Sequence, residues 1–462
     1  TLLVDEQNQV QQARLHIVEF RGFEKFIQGR PYWELPLVVQ RLCGICPVSH
    51  HLAAAKAIDQ IAGVDTLSPT AEKLRRLMHL GQVLQSHALH FFHLASPDLL
   101  FGFTSDVEKR NIVAVLDAYP DIALKGIRLR KFGQEVIRVI SGKRIHGIAA
   151  VPGGMNKPLT PDDIALLQGY FPELIDWARF AVALTRDLYL KNRAQHEAFG
   201  RLHATSMGMV GPNGELELYH GGLRIKNADG TLWRDQIDYT TYTQWMHEAV
   251  KPWSYMKFPY LVERGETHGW YRVGPLARIN NCDLIDTPLA EACRQEFVSA
   301  HTGQMAESAL AYHWARMIEV LYCAEAIERL LQDPDLLSHD LQRHGTRRNV
   351  GIGVIEAPRG TLIHHFEVND QDLVTRANLI VSTTHNNQAM NESIRAVARD
   401  YLNGQTITPE LLNMIEVAIR AYDPCLSCAT HAMGKMPLQI ELRTEQNELI
   451  SQLQRDSDGR YL

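Results

Sequence analysis

The sequence predicts an α+β protein, predominantly helical, in which a bundle of long helices carries peripheral β-hairpins. Three observations lead there. Apolar residues recur at helical spacing over several long stretches. The β-prone runs between them are short and bounded by turn signals. No Gly/Ser-rich, Pro-rich or charge-block linker and no internal repeat divides the 462 residues, so one large interlocked domain is expected.

In chain order, LLVDEQNQVQQARLHIVEF (2 to 20) is two β-prone runs around a polar turn, which is a hairpin pattern. Around 47 to 62, a stretch opened by Pro47 and closed by Gly63 carries helix punctuation. A long helix is expected from about 69, with Ser68 as N-cap and Pro69 in the first turn. Leu74, Leu77, Met78, Leu84, Ala88 and Phe91 keep helical spacing through it. Two further long helical stretches cover roughly 162 to 198 and 289 to 332. Between them, 205 to 240 is strand-like, with turn signals PNG and ADG. Near the end, Leu438, Ile440 and Leu442 alternate as in a strand, followed by a polar turn and a second amphipathic run.

Composition narrows the function. Hydrophobic residues at 45% and charged residues at 22% are ordinary for a soluble globular protein. A net charge of −6 offers no basic face, so neither nucleic acid nor a membrane surface is an expected partner. No apolar run approaches the roughly 18 residues of a membrane-spanning helix, and no signal peptide opens the chain. The seven cysteines are Cys43, Cys46, Cys282, Cys293, Cys323, Cys425 and Cys428. An odd number without a secretion signal points to reduced thiols in a cytoplasmic protein.

The only clustered thiols are Cys43-Gly-Ile-Cys46 and Cys425-Leu-Ser-Cys428. The first pair lies at the N-terminal mouth of a helix, where the dipole and unpaired N–H groups favour thiolate. Two CxxC pairs suggest a four-thiolate metal site, with zinc the default metal. Against zinc, 378 residues separate the halves, and a chain this long needs no zinc staple. Spacing leaves zinc and other metals both open. On one long helix His79, His87, His90 and His93 are expected to be bonded core or interface residues rather than a metal stripe. NVGIGVIE (349 to 356) contains GxGxxE without strand-turn-helix context and is rejected as a dinucleotide fingerprint.

RLCGICPVSHH (41 to 51) and DPCLSCATH (423 to 431) resemble the two signature motifs of the large subunit of nickel-iron hydrogenases. FRGFEKF, HFFHLASPD, WSYMKFPY, RVGPLARIN, EAPRGTLIHH and TTHNNQAMN extend the resemblance over nearly the whole chain, most like the soluble bidirectional NAD-reducing group. The resemblance implies that large-subunit fold and reversible heterolytic H2 oxidation or H⁺ reduction at a Ni-Fe(CO)(CN)2 centre. By motif position Cys43 and Cys425 would be terminal nickel ligands, and Cys46 and Cys428 would bridge nickel and iron. Thiolates suit that task because they are soft, strongly donating ligands. A terminal thiolate beside an open coordination position can also take a proton, a role the resemblance gives to Cys425. His50, one helical turn after Cys46, can reach the bridging sulfur, whereas His51 points elsewhere. Glu24, the carbonyl of Leu379 and His431 resemble the ligands of a nearby Mg2+. Arg359, in APRG, would overhang the open metal position and bind an iron-bound cyanide, with Asp98, Pro358 and Asp423 completing the canopy and Thr383 a second cyanide contact.

No third cysteine cluster exists for an iron–sulfur centre, so electrons must leave through another subunit. The implied partners are a hydrogenase small subunit with iron–sulfur clusters, diaphorase subunits that carry FMN and bind NAD, nickel-insertion factors and a maturation peptidase. Coupling to another acceptor such as a deazaflavin is the first alternative. A non-catalytic scaffold related to a respiratory complex I subunit and a structural zinc protein are the remaining ones; the retained cysteine pairs weigh against the scaffold. In the family a strand ending in R-x-E-G-H supplies a proton-passing Glu. That pattern would lie before Thr1, so residues are expected to precede it and no numbered residue is assigned as the gate. In the mature family protein the chain ends at the His of the second motif. Residues 1–431 are therefore expected to form the hydrogenase domain, with 432–462 an extension removed on maturation.

Overall fold

The structure, a computed structural model, describes residues 1–17, 22–106, 109–402, 404, 406–424 and 438–455. A helical centre is built from Pro47–Ile61, Pro69–Leu89, Pro120–Ser141, Phe171–Lys191 and Ala311–Leu330. Pro69–Leu89 packs on both Pro120–Ser141 and Ala311–Leu330, and the latter also packs on Phe171–Lys191. Ala311–Leu330 is buried from Ala311 to Ile327. A helix buried on all sides, its charges Arg316 and Glu319 included, belongs at the centre of a bundle rather than on its surface.

Several helix starts have a local cause. The Ser68 hydroxyl accepts from the Ala71 amide, with Pro69 at the first position; this satisfies one of the four orphaned donors. Thr160 and Asp163 form a reciprocal capping box. Two expected long helices are interrupted. Residues 162 to 198 divide into Pro161–Gln168, Phe171–Lys191 and Arg193–Ala198, where Thr160 and Pro172 each favour a fresh start. Residues 289 to 332 divide into Pro288–Ala300 and Ala311–Leu330. Thr302 and Gly303 between them both have φ in the left-handed region (56° and 76°), which an α-helix does not accept. Pro69–Leu89 runs on through a π-helical turn, His90–Ala95, into Ser96–Phe101. That insertion re-aims the chain where it delivers Asp98.

The expected strands at both ends and at 205 to 240 are present: Leu2–Val4, Val10–Ala13, Ser206–Val210, Gly222–Lys226, Leu232–Ile237, Leu438–Thr444 and Leu449–Arg455. The terminal hairpins share one four-stranded sheet. In it Leu438–Thr444 lies parallel to Leu2–Val4, with Leu442 opposite Leu2. Another antiparallel sheet, Val350–Ala357, Gly360–Val368 and Val374–Ile380, lies inside the molecule against Pro47–Ile61. Glycine allows that approach: a Cβ on Gly351 would stand 1.9 Å from the Ala57 carbonyl oxygen, and one on Gly353 2.0 Å from that of Ala53. The glycines of NVGIGVIE therefore serve strand-on-helix packing, not a phosphate loop. No helix of the described residues is long and apolar enough to cross a membrane.

Candidate metal centre

Cys46 is the N-cap of Pro47–Ile61, with Pro47 at the first helical position. The Cys43 sulfur accepts backbone N–H groups from Ile45 (3.4 Å) and Cys46 (3.3 Å). Both cysteines are buried. Sulfur held at a helix start by two amide donors is arranged to carry negative charge. The loop is fixed from outside: the side-chain amides of Gln82 and Gln85 donate to the Ile45 carbonyl (2.9 and 2.7 Å). His146 bonds the Cys43 carbonyl at 3.3 Å.

The opposite wall comes from the interior sheet. Ala357 pairs with Gly360, so Pro358 and Arg359 are the two residues of a tight hairpin turn. Gly360 has φ +132°, and a Cβ there would lie 2.3 Å from Val273 Cγ2; only glycine fits. Cys46, His50, Pro358, Arg359, Leu362 and Ser382 line one small cavity between helix and hairpin. Arg359 donates from Nη2 to Asp423 Oδ1 at 3.0 Å and from Nε to the Asp423 carbonyl. Both residues are buried. Burial pushes the Asp423 carboxyl up, opposed by the Arg359 and Arg316 charges. Asp98 reaches elsewhere, to Arg110 (3.2 Å) and Arg420, so within this group Asp423 is what holds the guanidinium. Thr383 is buried in the short helix Ser382–His385.

His50 is buried, and desolvation takes it down to about 4, with Cys43 opposing and Arg359 adding. Its Nδ1 meets His364 Nε2 at 3.1 Å. His51 turns away: Nδ1 meets the Pro36 carbonyl at 2.9 Å and Nε2 accepts from the Ala150 amide at 3.0 Å. Glu24 accepts from the Leu379 amide at 3.0 Å, which sets these two expected ion ligands side by side. The Lys257 ammonium lies 3.4 Å from Glu24 and from Glu248. Cys425, Cys428 and His431 lie outside the described residues.

His79, His87 and His90 behave as bonded core groups. His79 meets the Leu218 and Glu356 carbonyls, His87 the Glu319 carboxylate at 2.8 Å, and His90 the Arg420 carbonyl. Among the described residues no group of three or more His, Cys, Asp or Glu could hold a metal. Cys282 and Cys323 are buried singly, and Cys293 is half-buried.

Sequence reasoning assigned no role to the anchor beneath the hairpin turn. Arg278, fully buried, binds Glu319 through Nε (2.7 Å) and Nη2 (2.6 Å), and Glu356 through Nη1 (2.9 Å). It also donates to the Ala357 and Pro358 carbonyls (2.9 and 3.3 Å). Thr361 donates to the other Glu356 oxygen at 2.7 Å. Burial raises Glu319 but Arg278 and His87 overcome it, leaving about 2; for Glu356 burial wins and the pKa is raised. The available signal was charge inside apolar runs, Arg278 in GPLARI and Glu356 in GIGVIEA, because buried charges must be paired.

A helical subunit folded around thiols at a buried helix mouth, faced by an Arg-bearing hairpin, is the architecture of a hydrogenase large subunit. The family described as nickel-dependent hydrogenase matches residues 21–101 and 219–431. The chain belongs to that family. It is 46% identical, over 97% of its length and 95% of the relative's, to the NAD-reducing hydrogenase HoxS subunit beta of Cupriavidus necator. It is 39% identical, over 95% and 93%, to the corresponding chain of the vhc F420-non-reducing hydrogenase of Methanococcus voltae. Its fold superposes with a TM-score of 0.89 on an NAD+-reducing [NiFe]-hydrogenase solved in the H2-reduced state, at 56% identity, covering 93% of this chain and 95% of that one. The Ni-Fe-Se hydrogenase of D. vulgaris Hildenborough shares the fold (TM-score 0.74, 22% identity, 93% and 96% covered).

Proposed function

We propose that the chain is the catalytic subunit for reversible heterolytic H2 oxidation at a Ni-Fe(CO)(CN)2 centre, working in the cytoplasm with electrons passed to NAD⁺ through partner subunits. The supporting observation is the pair of motifs RLCGICPVSHH and DPCLSCATH, the first of which forms a buried thiol pair opposite Arg359. These residues fit the group: soft donors on one side, and a permanently charged planar donor on the other. Cys43, Cys46, Cys425 and Cys428 would hold it, and when bound it supplies the splitting of H2.

The chain's own residues supply the remaining chemistry. The Cys425 sulfur receives the proton. Arg359, immobilised by Asp423, presents guanidinium N–H groups that are already oriented, so no reorganisation is needed as charge develops. Pro358 stiffens the turn, Asp98 braces the neighbouring Arg420 segment, and Thr383 would offer its hydroxyl to a cyanide of the bound centre. His50 would donate to a metal-bound thiolate of the cavity it shares with Cys46 and so temper that sulfur's electron donation. Glu24, the Leu379 carbonyl and His431 would ligate Mg2+. Electrons leave through a small subunit with iron–sulfur clusters to diaphorase subunits carrying FMN.

We also propose that 432–462 is removed by a maturation peptidase after nickel-insertion factors have loaded the site. A nickel-bearing, active chain from host cells that still carries the 31 residues after His431 would overturn this. For the centre itself, host-matured protein should show infrared bands of metal-bound CO and cyanide; zinc without nickel and iron would sink the proposal. For the acceptor, the purified complex should reduce NAD⁺ under H2, and reduction of a deazaflavin alone would redirect it.

A further inference from the structure

We infer that His364 is a positioning residue that fixes the tautomer and ring orientation of His50, so that His50 Nε2–H faces the thiolate cavity. The inference rests on the reading of His50 as donor to a bridging thiolate.

The two rings meet nitrogen to nitrogen, His50 Nδ1 to His364 Nε2, at 3.1 Å, with centroids 5.3 Å apart and planes inclined by 37°. Two nitrogens at that distance share one proton, because two lone pairs or two N–H groups would repel. Both rings are buried, their facing nitrogens meet each other rather than a carboxylate, and an unpaired buried charge is costly, so each ring is neutral. Only two arrangements remain.

In the first, His50 Nδ1–H donates to His364. Its Nε2, the ring nitrogen left to serve the thiolate, is then a bare lone pair where a donor is called for, although His50 and Cys46 line one cavity. His364 Nδ1 must then carry the proton, yet among the described residues it has no hydrogen-bond partner. A buried N–H would be left unsatisfied. In the second arrangement His364 Nε2–H donates to His50 Nδ1, and His50 Nε2–H is free to donate to sulfur. The unsatisfied atom is now only the lone pair on His364 Nδ1. A donor to a charged acceptor is the stronger kind of hydrogen bond, so the second arrangement prevails.

Among the described residues no proton wire continues through this pair. His364 packs edge-on against Phe366, centroids 5.7 Å apart at 82°, and its outer nitrogen leads to no polar group among the described residues. His364 comes from the strand Gly360–Val368, which begins at the Arg359 turn. The turn that presents the guanidinium is thus followed, five residues later on the strand it opens, by the histidine lock.

Nitrogen-15 NMR of the histidine rings in the full, metal-free chain tests this, with His50→Gln and His364→Gln variants assigning the signals. Both rings should show pyrrole-type Nε2 and pyridine-type Nδ1. A protonated Nδ1 on either ring overturns the inference. In host-matured enzyme, His364→Leu removes the donor and should move the CO and cyanide bands to lower wavenumber, because a thiolate with a weakened hydrogen bond donates more to iron. His364→Gln, whose amide can still donate, should leave them near the parent positions. Bands unmoved in His364→Leu would also overturn it. Absence of such bands in the parent would sink the metal-centre reading instead, while the ring NMR would still decide the tautomer.

Discussion

Replacing Arg278 by Met removes the cation that two fully buried carboxylates share. In the parent, five of its donor contacts go to Glu319, Glu356 and the Ala357 and Pro358 carbonyls, and none of the three charged side chains touches solvent. Met fills much of the volume but leaves both carboxylates without their cation. Breaking a buried charge pair from one side costs about 3–5 kcal/mol. Unfolding entropy of about 2.1 cal/mol/K per residue amounts to roughly 1 kcal/mol/K over 462 residues. The loss should therefore lower Tm by only about 4 °C. Activity should fall further than that shift suggests, since Ala357 and Pro358 lose the donors that seat the Arg359 turn. Scanning calorimetry and H2-dependent dye reduction by the assembled enzyme measure the two effects. Adding Glu319→Gln to Arg278→Met removes one orphaned charge and should recover part of Tm but little activity. A single variant that melts with the parent, or a double variant that melts lower still, would refute the reasoning.

Three further outcomes are expected. His51, His79 and His87 are held down to about 4 by burial, below the unfolded value. Each contributes stability that is complete above roughly pH 6.5 and is lost as pH falls toward 4, at about 1.4 kcal/mol per pH unit; denaturant titrations giving equal stability at pH 7 and 5 would contradict this. Arg359→Lys keeps the charge but loses the fork that grips Asp423, so turnover should drop roughly 10²–10³-fold with little change in Tm, whereas near-parental turnover would remove Arg359 from the chemistry. Gly353→Ala places a methyl 2.0 Å from the Ala53 carbonyl oxygen and should cost about 1–3 kcal/mol or more. The Gly169→Ala control, 3.4 Å from its nearest neighbour, should melt like the parent, and equal melting of both variants would contradict the packing argument.

What was legible in the sequence was local. Ser68-Pro69 announces a helix start through cap chemistry confined to four residues, and it is found where expected. Cys46-Pro47 does the same, and the alternating Ile440 and Leu442 are buried in a strand. The interior sheet was not legible, because a strand covered on both faces reads as an unbroken apolar run, and Gly351 and Gly353 look like a loop until the helix they abut is known. The division of 289 to 332 was hidden for another reason: its polar break, HTGQMAES, still permits helical spacing. At the site, clustered thiols drew attention to Cys43 and Cys46 and the family resemblance to Arg359, while the partners of His50 and Arg359 lie 314 and 64 positions away. No spacing rule reaches so far, so the roles of His364, Gln82 and Gln85 emerge only from the fold, while Arg278 left only the trace of a charge in an apolar run.

The sheet that joins early and late strands has a consequence for biogenesis. Leu2–Val4 is flanked by Val10–Ala13 on one side and by Leu438–Thr444 on the other, so strands made late in synthesis complete a sheet begun by strands made early. Until then, Leu2, Leu3 and Val4, all buried in the finished sheet, present an open row of N–H and C=O groups, the feature that recruits foreign strands and seeds aggregation. The same edge reopens whenever the hairpin of Leu438–Thr444 and Leu449–Arg455 departs. Any event that releases that hairpin must deliver a replacement cover within the lifetime of the exposed edge, which ties the order of assembly to solubility.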